Sequence, residues 1–375
     1  MTTTISGTTG IDKVTPELDA TIRRGRKNIL INGAMTVAQR GTSFTGISTA
    51  TYTLDRVQVA VSGTFGELSI TAEKSSDAPD GFSNSLKLTT ATAEASLAAN
   101  ERLFLGFYSE GQDVQNWATG TSNASAVTMS FWVKSSVVGT YALYAYGYTG
   151  NAIESHSITV DLANTWEKKA VTFSANTATA LFANNATRQL EVGLVLSAGS
   201  DFKGASADTW SAYSTTNLAN AQTTDIASTL NATFQLTGLQ LELGSVATDF
   251  EHRSYAEELA LCQRYYEKSY NQIDAPATSS AVGKGSASSY TGSSSNRFFV
   301  GTSLFCVAKR ATPTVTIYSS LGTANRISAY DSSATELTVS SISEEGESSL
   351  GMYIQTSSGD NTRPYTFHFT AEAEL

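Results

Sequence analysis

The chain has 375 residues, of which 41% are hydrophobic, enough for more than one packed domain. Charged residues make up only 15%, well below the roughly 25% of an average globular protein, and 34 acidic against 24 basic side chains leave a net charge of −10. That balance excludes a nucleic-acid-binding role, which needs clustered cations. No run approaches the roughly 20 apolar residues that span a bilayer, and the first residues, MTTTISGTTG, lack the charged start and apolar centre of a secretory signal. The protein is therefore expected to stay in the cytoplasm until lysis releases it.

Residues 1–27 have too few apolar side chains for a core. They read as a segment ordered by partners or as a disordered leader. Their basic cluster, Arg23, Arg24, Arg26 and Lys27, reads as a solvated linker or, if it binds, as a contact for an acidic partner surface.

From Asn28 to Glu251, short alternating runs recur between Gly, Ser, Asn and Asp clusters. They are Gly66 to Ala72, Ser85 to Thr89, Thr128 to Lys134, Thr140 to Tyr148, Ser157 to Asp161, Lys168 to Phe173, Arg188 to Leu196 and Phe234 to Leu243. Short strands with polar turns predict a two-sheet sandwich. Met129, Phe131 and Val133 share one face of their strand, with Trp132 on the other. Lys203 to Ile226 has no period, carries Trp210 and Tyr213, and is expected to be a functional or mobile loop.

Thr233 to Tyr270 reads as strand, turn and helix. The apolar parity of Phe234 and Leu236 switches at Gly238 to that of Leu239, Leu241 and Leu243, which predicts a bulge at Thr237–Gly238. Ser254 and Glu257 have capping-box spacing. Tyr255, Leu259, Cys262 and Tyr266 follow at steps of four, three and four, an apolar stripe along a helix from Ser254 to Lys268. That stripe must be buried on the flanking domains or on other copies of the chain.

Beyond the helix, Asn271 to Ser295 predicts a loop with one weak strand. Arg297 to Lys309, Thr314 to Tyr318, Asn325 to Tyr330, Glu336 to Ile342, Leu350 to Thr356 and Tyr365 to Ala371 supply strands for a small sandwich, with Pro313 at a strand start. Cys262 on the stripe and Cys306 in SLFCVA are both expected to be buried free thiols, because two cysteines make no disulfide framework. The expected fold is all-β: a segment at 1–27, a jelly-roll β-sandwich at 28–252, a linking α-helix at 253–270 and a second, smaller C-terminal β-sandwich domain at 271–375.

LTGLQLELGSVATDFEHRSYAEELALCQRYYEKSY, Leu236 to Tyr270, resembles a junction in bacteriophage tail fibre and receptor-binding proteins, between a carbohydrate-binding-module-like jelly roll and a C-terminal β domain. YTFHFTAEAEL, Tyr365 to Leu375, resembles the end of the same proteins, and NILINGAMTVAQRGTSFTG, Asn28 to Gly46, also resembles them. Ser130 to Gly147 and Trp166 to Ala175 resemble the central strand pair of such modules and the strand that follows it. No motif in these stretches names a ligand.

The resemblance implies a non-enzymatic homotrimer of the virion, assembled in the host cytoplasm. It would join other tail proteins through residues 1–27 and hold host surface polysaccharide. Tyr255, Leu259, Cys262 and Tyr266 would then be the oligomer contact. Two rival readings are a structural virion protein, such as a head fibre, collar fibre or adaptor, and a polysaccharide-depolymerising tailspike. Similar modules often hold a structural calcium ion. Asp249 and Glu251 have suitable oxygens, but no calcium-loop motif is present, so no metal and no other cofactor is expected.

The residues themselves argue against catalysis. His156, His252 and His368 are far apart and have no ligand-spaced partners. Asp77 with Asp80 sits in turn chemistry, and Glu344, Glu345 and Glu347 form a solvated loop. Neither cluster has surroundings that would raise a carboxyl pKa. Tyr144, Tyr146 and Tyr148 share one parity, opposite Tyr141, Leu143 and Ala145. If Leu143 faces the core, these tyrosines form a surface on which sugar rings can pack. The same face reads equally as core or subunit interface. Trp132, Trp210 and Tyr213 are further glycan candidates.

Overall fold

The computed structural model describes residues 26–204, 208–219, 221–289, 296–300, 304–331, 335–351, 353–357 and 363–375. The expected attachment segment, apart from Arg26 and Lys27, lies outside them.

The first domain is a sandwich of two antiparallel sheets. One sheet has the order β1 (Ser43–Ile47), β4 (Ser69–Ser75), β5 (Ser85–Thr92), β13 (Thr233–Leu243), β7 (Val127–Ser135), β10 (Glu167–Phe173). The other runs β12 (Ser211–Ala212), β9 (Ala152–Val160), β8 (Gly139–Gly147), β11 (Arg188–Ala198), β6 (Arg102–Glu110), β3 (Gln58–Ser62), β2 (Thr51–Tyr52). Alternation along the strands fills the space between them. Met129, Phe131 and Val133 of β7 meet Leu143 of β8 and Val192, Leu194 and Leu196 of β11 in one core.

All eight predicted runs are strands. The bulge is also present: the β13 to β7 register shifts between Thr237 and Gln240, and Gly238 has φ +65°. An added Cβ at Gly238 would lie 2.7 Å from the Phe82 ring.

Strand β6, RLFLGFYSE, lies outside the predicted runs. Every one of its residues is buried. A strand covered on both faces has no alternation to read. It is nevertheless central to its sheet, paired with β3 on one side and β11 on the other.

The linking helix α1 spans Tyr255–Gln263, and its Ser254–Glu257 capping box forms in both directions. It ends earlier than the predicted Lys268. Tyr266–Lys268 instead form an edge strand, β14, against β21 (Tyr365–Glu372). Successive side chains of extended chain point opposite ways. Tyr265 thereby covers Arg56 and Tyr266 covers Arg40, with guanidinium carbons 3.6 and 3.8 Å from the ring centroids. The apolar stripe is thus spent largely inside the chain. Cys262 and Tyr266 are buried, Leu259 is partly covered and Tyr255 is half exposed, so Cys262 and Tyr266 are unavailable to a second copy. Replacing Ser254 by Ala removes the cap from this nine-residue helix, and urea denaturation is expected to show a loss of about 1 kcal/mol.

The second domain adds β15 (Gly285–Ser289), β16 (Arg297–Val300), β17 (Thr314–Tyr318), β18 (Arg326–Ala329), β19 (Glu336–Ser343) and β20 (Tyr353–Thr356). The pairings run in a circuit from β21 through β15, β16, β20, β19 and β18 back to β21, whose far end also carries β14 and β17. Its separate core includes Phe298, Ile327, Ile354, Tyr365 and Phe367. Pro313 directly precedes β17, as expected. His368 is structural: its ring stacks on Tyr270 at 3.9 Å and contacts the Ser269 hydroxyl and the Ser280 carbonyl.

The run expected to bury Cys306 is not a continuous strand. Leu304 makes one isolated bridge to Ser349, and Cys306 is exposed while its backbone N–H donates to Glu267. Irregular backbone here serves Lys309, which is buried against Glu267 at 2.6 Å.

Candidate ligand-binding cleft

Leu143 does face the core, together with Tyr141 and Ala145. The opposite parity of β8 therefore lies on the outer face of the second sheet. Phe202, just before the loop Lys203 to Ile226, and Leu218 and Ala219 within it cover part of that face, packing on Phe104, Ala142 and Val195. Beside them lies a cleft of about 460 Å³.

Cross-strand register builds its floor. Glu191 of β11 stands between Tyr108 of β6 and Tyr146 of β8, and one row further on Gly193 stands between Gly106 and Tyr144. The glycines let two tyrosine rings lie against the sheet. A Cβ at Gly193 would be 2.1 Å from Tyr144 Cζ, and one at Gly106 would be 2.4 Å from Tyr108 Oη.

Polar groups tie the rings together. Tyr144 donates to Glu191 Oε1 at 2.6 Å and Tyr148 to Oε2 at 2.8 Å, so both carboxylate oxygens are held. Tyr108 donates to Gln58 at 2.8 Å. Arg188 lies 3.7 Å over the Tyr108 ring, donates to Tyr148 Oη at 3.2 Å and reaches the Leu375 carbonyl. Burial pushes the Tyr148 hydroxyl up to about 12, and burial also raises Tyr108, Tyr144, Tyr146 and Tyr213, so all five stay protonated donors at neutral pH.

At the rim, Tyr146 packs on Tyr148 at 4.6 Å and on Tyr213 at 4.7 Å. Its hydroxyl donates to Asn151. The structure thus brings together four of the six glycan candidates. Tyr146, Tyr148 and Tyr213 are open to the cleft, and Tyr144 is buried as its floor.

The other two lie elsewhere. Trp132 sits on the first sheet, beside Gly238 and the Lys168 position of β10. Trp210 packs against the main core and donates to the Ser174 carbonyl at 2.7 Å. Tyrosine and tryptophan parity shows which residues share a face but not which sheet carries that face. Tyr108 and Arg102 carry no sequence signal because β6 has no alternation, and in sequence Arg188 and Glu191 cannot be told from charged residues on a solvated strand face.

Of the acidic clusters, Asp77 and Glu251 are otherwise engaged. Asp77 bonds Lys134, Trp166 and Gln235, and the Lys134 bond leads in holding its carboxyl below the usual range. Glu251 accepts the backbone N–H groups of Lys27 and Asn28. Among the described residues no group of three or more His, Cys, Asp or Glu side chains could hold a metal ion, and no helix is long and apolar enough to cross a membrane.

No family model matches the chain, and no curated protein matches it. Solved structures do. The enzymatically active domain of tailspike protein 4 of bacteriophage CBA120 is similar at 11% identity over 58% of this chain, with a TM-score of 0.30, and the match spans 21% of that chain. The xylan-binding CBM22-1 domain from a Paenibacillus barcinonensis protein is similar at 10% identity over 60% of this chain and 100% of its own, with a TM-score of 0.25. The family 11 carbohydrate-binding module of a cellulosomal cellulase from Clostridium thermocellum is similar at 10% identity over 60% of this chain and 96% of its own, with a TM-score of 0.26.

Proposed function

We propose that the cleft binds a carbohydrate, and that the chain is a non-enzymatic receptor-binding protein of a bacteriophage fibre that holds a host-surface glycan without cleaving it. One observation carries the glycan half: a cleft floored and rimmed by five tyrosines, with Glu191 and two guanidiniums among them. Flat C–H faces of sugar rings pack on aromatic rings, and ring hydroxyls pair with fixed polar groups beside them. The fibre half, with assembly into the virion and attachment through residues 1–27, rests on the sequence resemblance at Leu236 to Tyr270 and at both ends of the described chain.

Cleavage of a glycoside ordinarily takes two carboxyl groups across the bond. Among the described residues lining the cleft Glu191 is the single carboxylate, and two tyrosine hydroxyls hold it. Incubation with host polysaccharide should release no new reducing ends. Their appearance would move the protein to the depolymerases.

A shallow site of this kind is weak alone. In a homotrimer, linked sites raise overall avidity by about 10²-fold or more. Such a trimer would use surfaces other than the buried Cys262 and Tyr266, with Tyr255 and Leu259 still open to it.

Tyr146 and Tyr213 are the rings to remove, because apart from the Tyr146 to Asn151 bond they stack mainly on each other and on Tyr148. Tyr146→Ala and Tyr213→Ala are each expected to weaken glycan binding about tenfold, ~1.4 kcal/mol, in titration calorimetry, with the melting temperature nearly unchanged. Full affinity in both variants would remove the cleft as the site. Binding to neither host cells nor a glycan array would favour the purely structural virion role.

A further inference from the structure

Building on the carbohydrate reading, we infer that the cleft takes an acidic sugar, one bearing a carboxylate such as a uronic acid, and that Arg102 is the residue that selects it.

Arg102 opens β6 and lines the cleft at 8% exposure. Its guanidinium carbon lies 4.0 Å over the Phe104 ring and 5.1 Å over that of Phe202. Among the described residues it makes one hydrogen bond, a long one from Nη1 to Tyr144 Oη at 3.4 Å, and its Nε has no acceptor. No carboxylate of the described residues forms an ion pair with it.

Three other arginines with little-exposed side chains are paired. Arg40 and Arg56 both reach Glu374, and Arg253 lies 3.4 Å from Glu258. Within the cleft, Arg188 has Glu191 at 3.8 Å as well as its tyrosine and carbonyl acceptors. Setting Arg188 against Glu191 leaves Arg102 as an excess positive charge in a chain whose net charge is −10.

A buried guanidinium cannot shed its proton, and aromatic faces compensate it only partly. The remaining compensation fits an incoming anion. A neutral sugar has hydroxyls for the tyrosines and Glu191 but nothing for this cation. A sugar carboxylate offers two oxygens to the guanidinium fork, the strongest charge-assisted pairing available to it.

The test uses the full chain and a panel of uronic-acid polysaccharides, each paired with its carboxyl-reduced form. At least one acidic member should bind, and its reduced partner should bind at least tenfold more weakly. Arg102→Gln should erase that ratio by weakening the acidic form alone. It should also melt no lower than the parent, because it removes an unpaired buried charge rather than an ion pair. Equal binding of the acidic and reduced forms would overturn the inference and leave the carbohydrate reading standing. So would an unchanged ratio in Arg102→Gln, or a large drop in its melting temperature. Binding to no member of the panel would overturn both.

Discussion

Glu374→Ala is expected to lower the stability of the protein by about 3–5 kcal/mol, several times the loss expected from removing the helix cap. Glu374 is buried between the two domains, where its carboxylate meets Arg56 and, at 3.2 Å, Arg40. Arg56 also donates to the Tyr108 carbonyl at 2.6 Å and lies under the Tyr265 ring. Although burial pulls the Arg56 pKa down, Glu374 and the neighbouring phenols outweigh it, and the group is held above its ordinary value. Removing Glu374 leaves the buried Arg56 without a carboxylate and leaves Arg40 with the half-exposed Glu372 alone, at 3.3 Å. Replacing both members of the closest pair, Arg56→Met with Glu374→Leu, should recover much of the loss, because the desolvation cost vanishes with the charges. Urea denaturation followed by tryptophan fluorescence measures both, and a single variant within about 1 kcal/mol of the parent would mean the domains are not held this way.

Gly193→Ala is expected to abolish most glycan binding and to cost about 1–3 kcal/mol of stability, the range for forcing an extra carbon into a packed site. The new Cβ would overlap the Tyr144 ring, which is fully buried and bonded to Glu191. The ring must lift, and Glu191 then loses the partner that orients it. Gly66→Ala is the control, since its Cβ would come no closer than 3.6 Å to the Glu94 carboxylate. Calorimetry and thermal melting should separate the two variants clearly. A Gly193→Ala protein that binds and melts like Gly66→Ala would show that Tyr144 does not lie flat on the sheet.

Much of this architecture was legible as period and punctuation. Strands with one polar face, such as β7 and β10, announced themselves by alternation. The Gly238 bulge showed as a change of phase, and the Ser254 cap as a spacing of three. Those signals are local, because each residue reports its own environment to its neighbours in sequence.

The cleft depended on pairings between residues far apart in the chain. Tyr144, Glu191 and Tyr108 meet only because β8, β11 and β6 are adjacent strands. Tyr213 joins them because a loop without period folds back over the sheet. Likewise, whether the stripe of α1 would meet another copy or its own chain depended on where Arg40 and Arg56 sit in the first domain. Side-chain pattern alone therefore established an all-β chain with a capped link and a tyrosine-lined face. Only the three-dimensional register decided which of those tyrosines form a floor, which a rim, and which charge is left without a partner among the residues described.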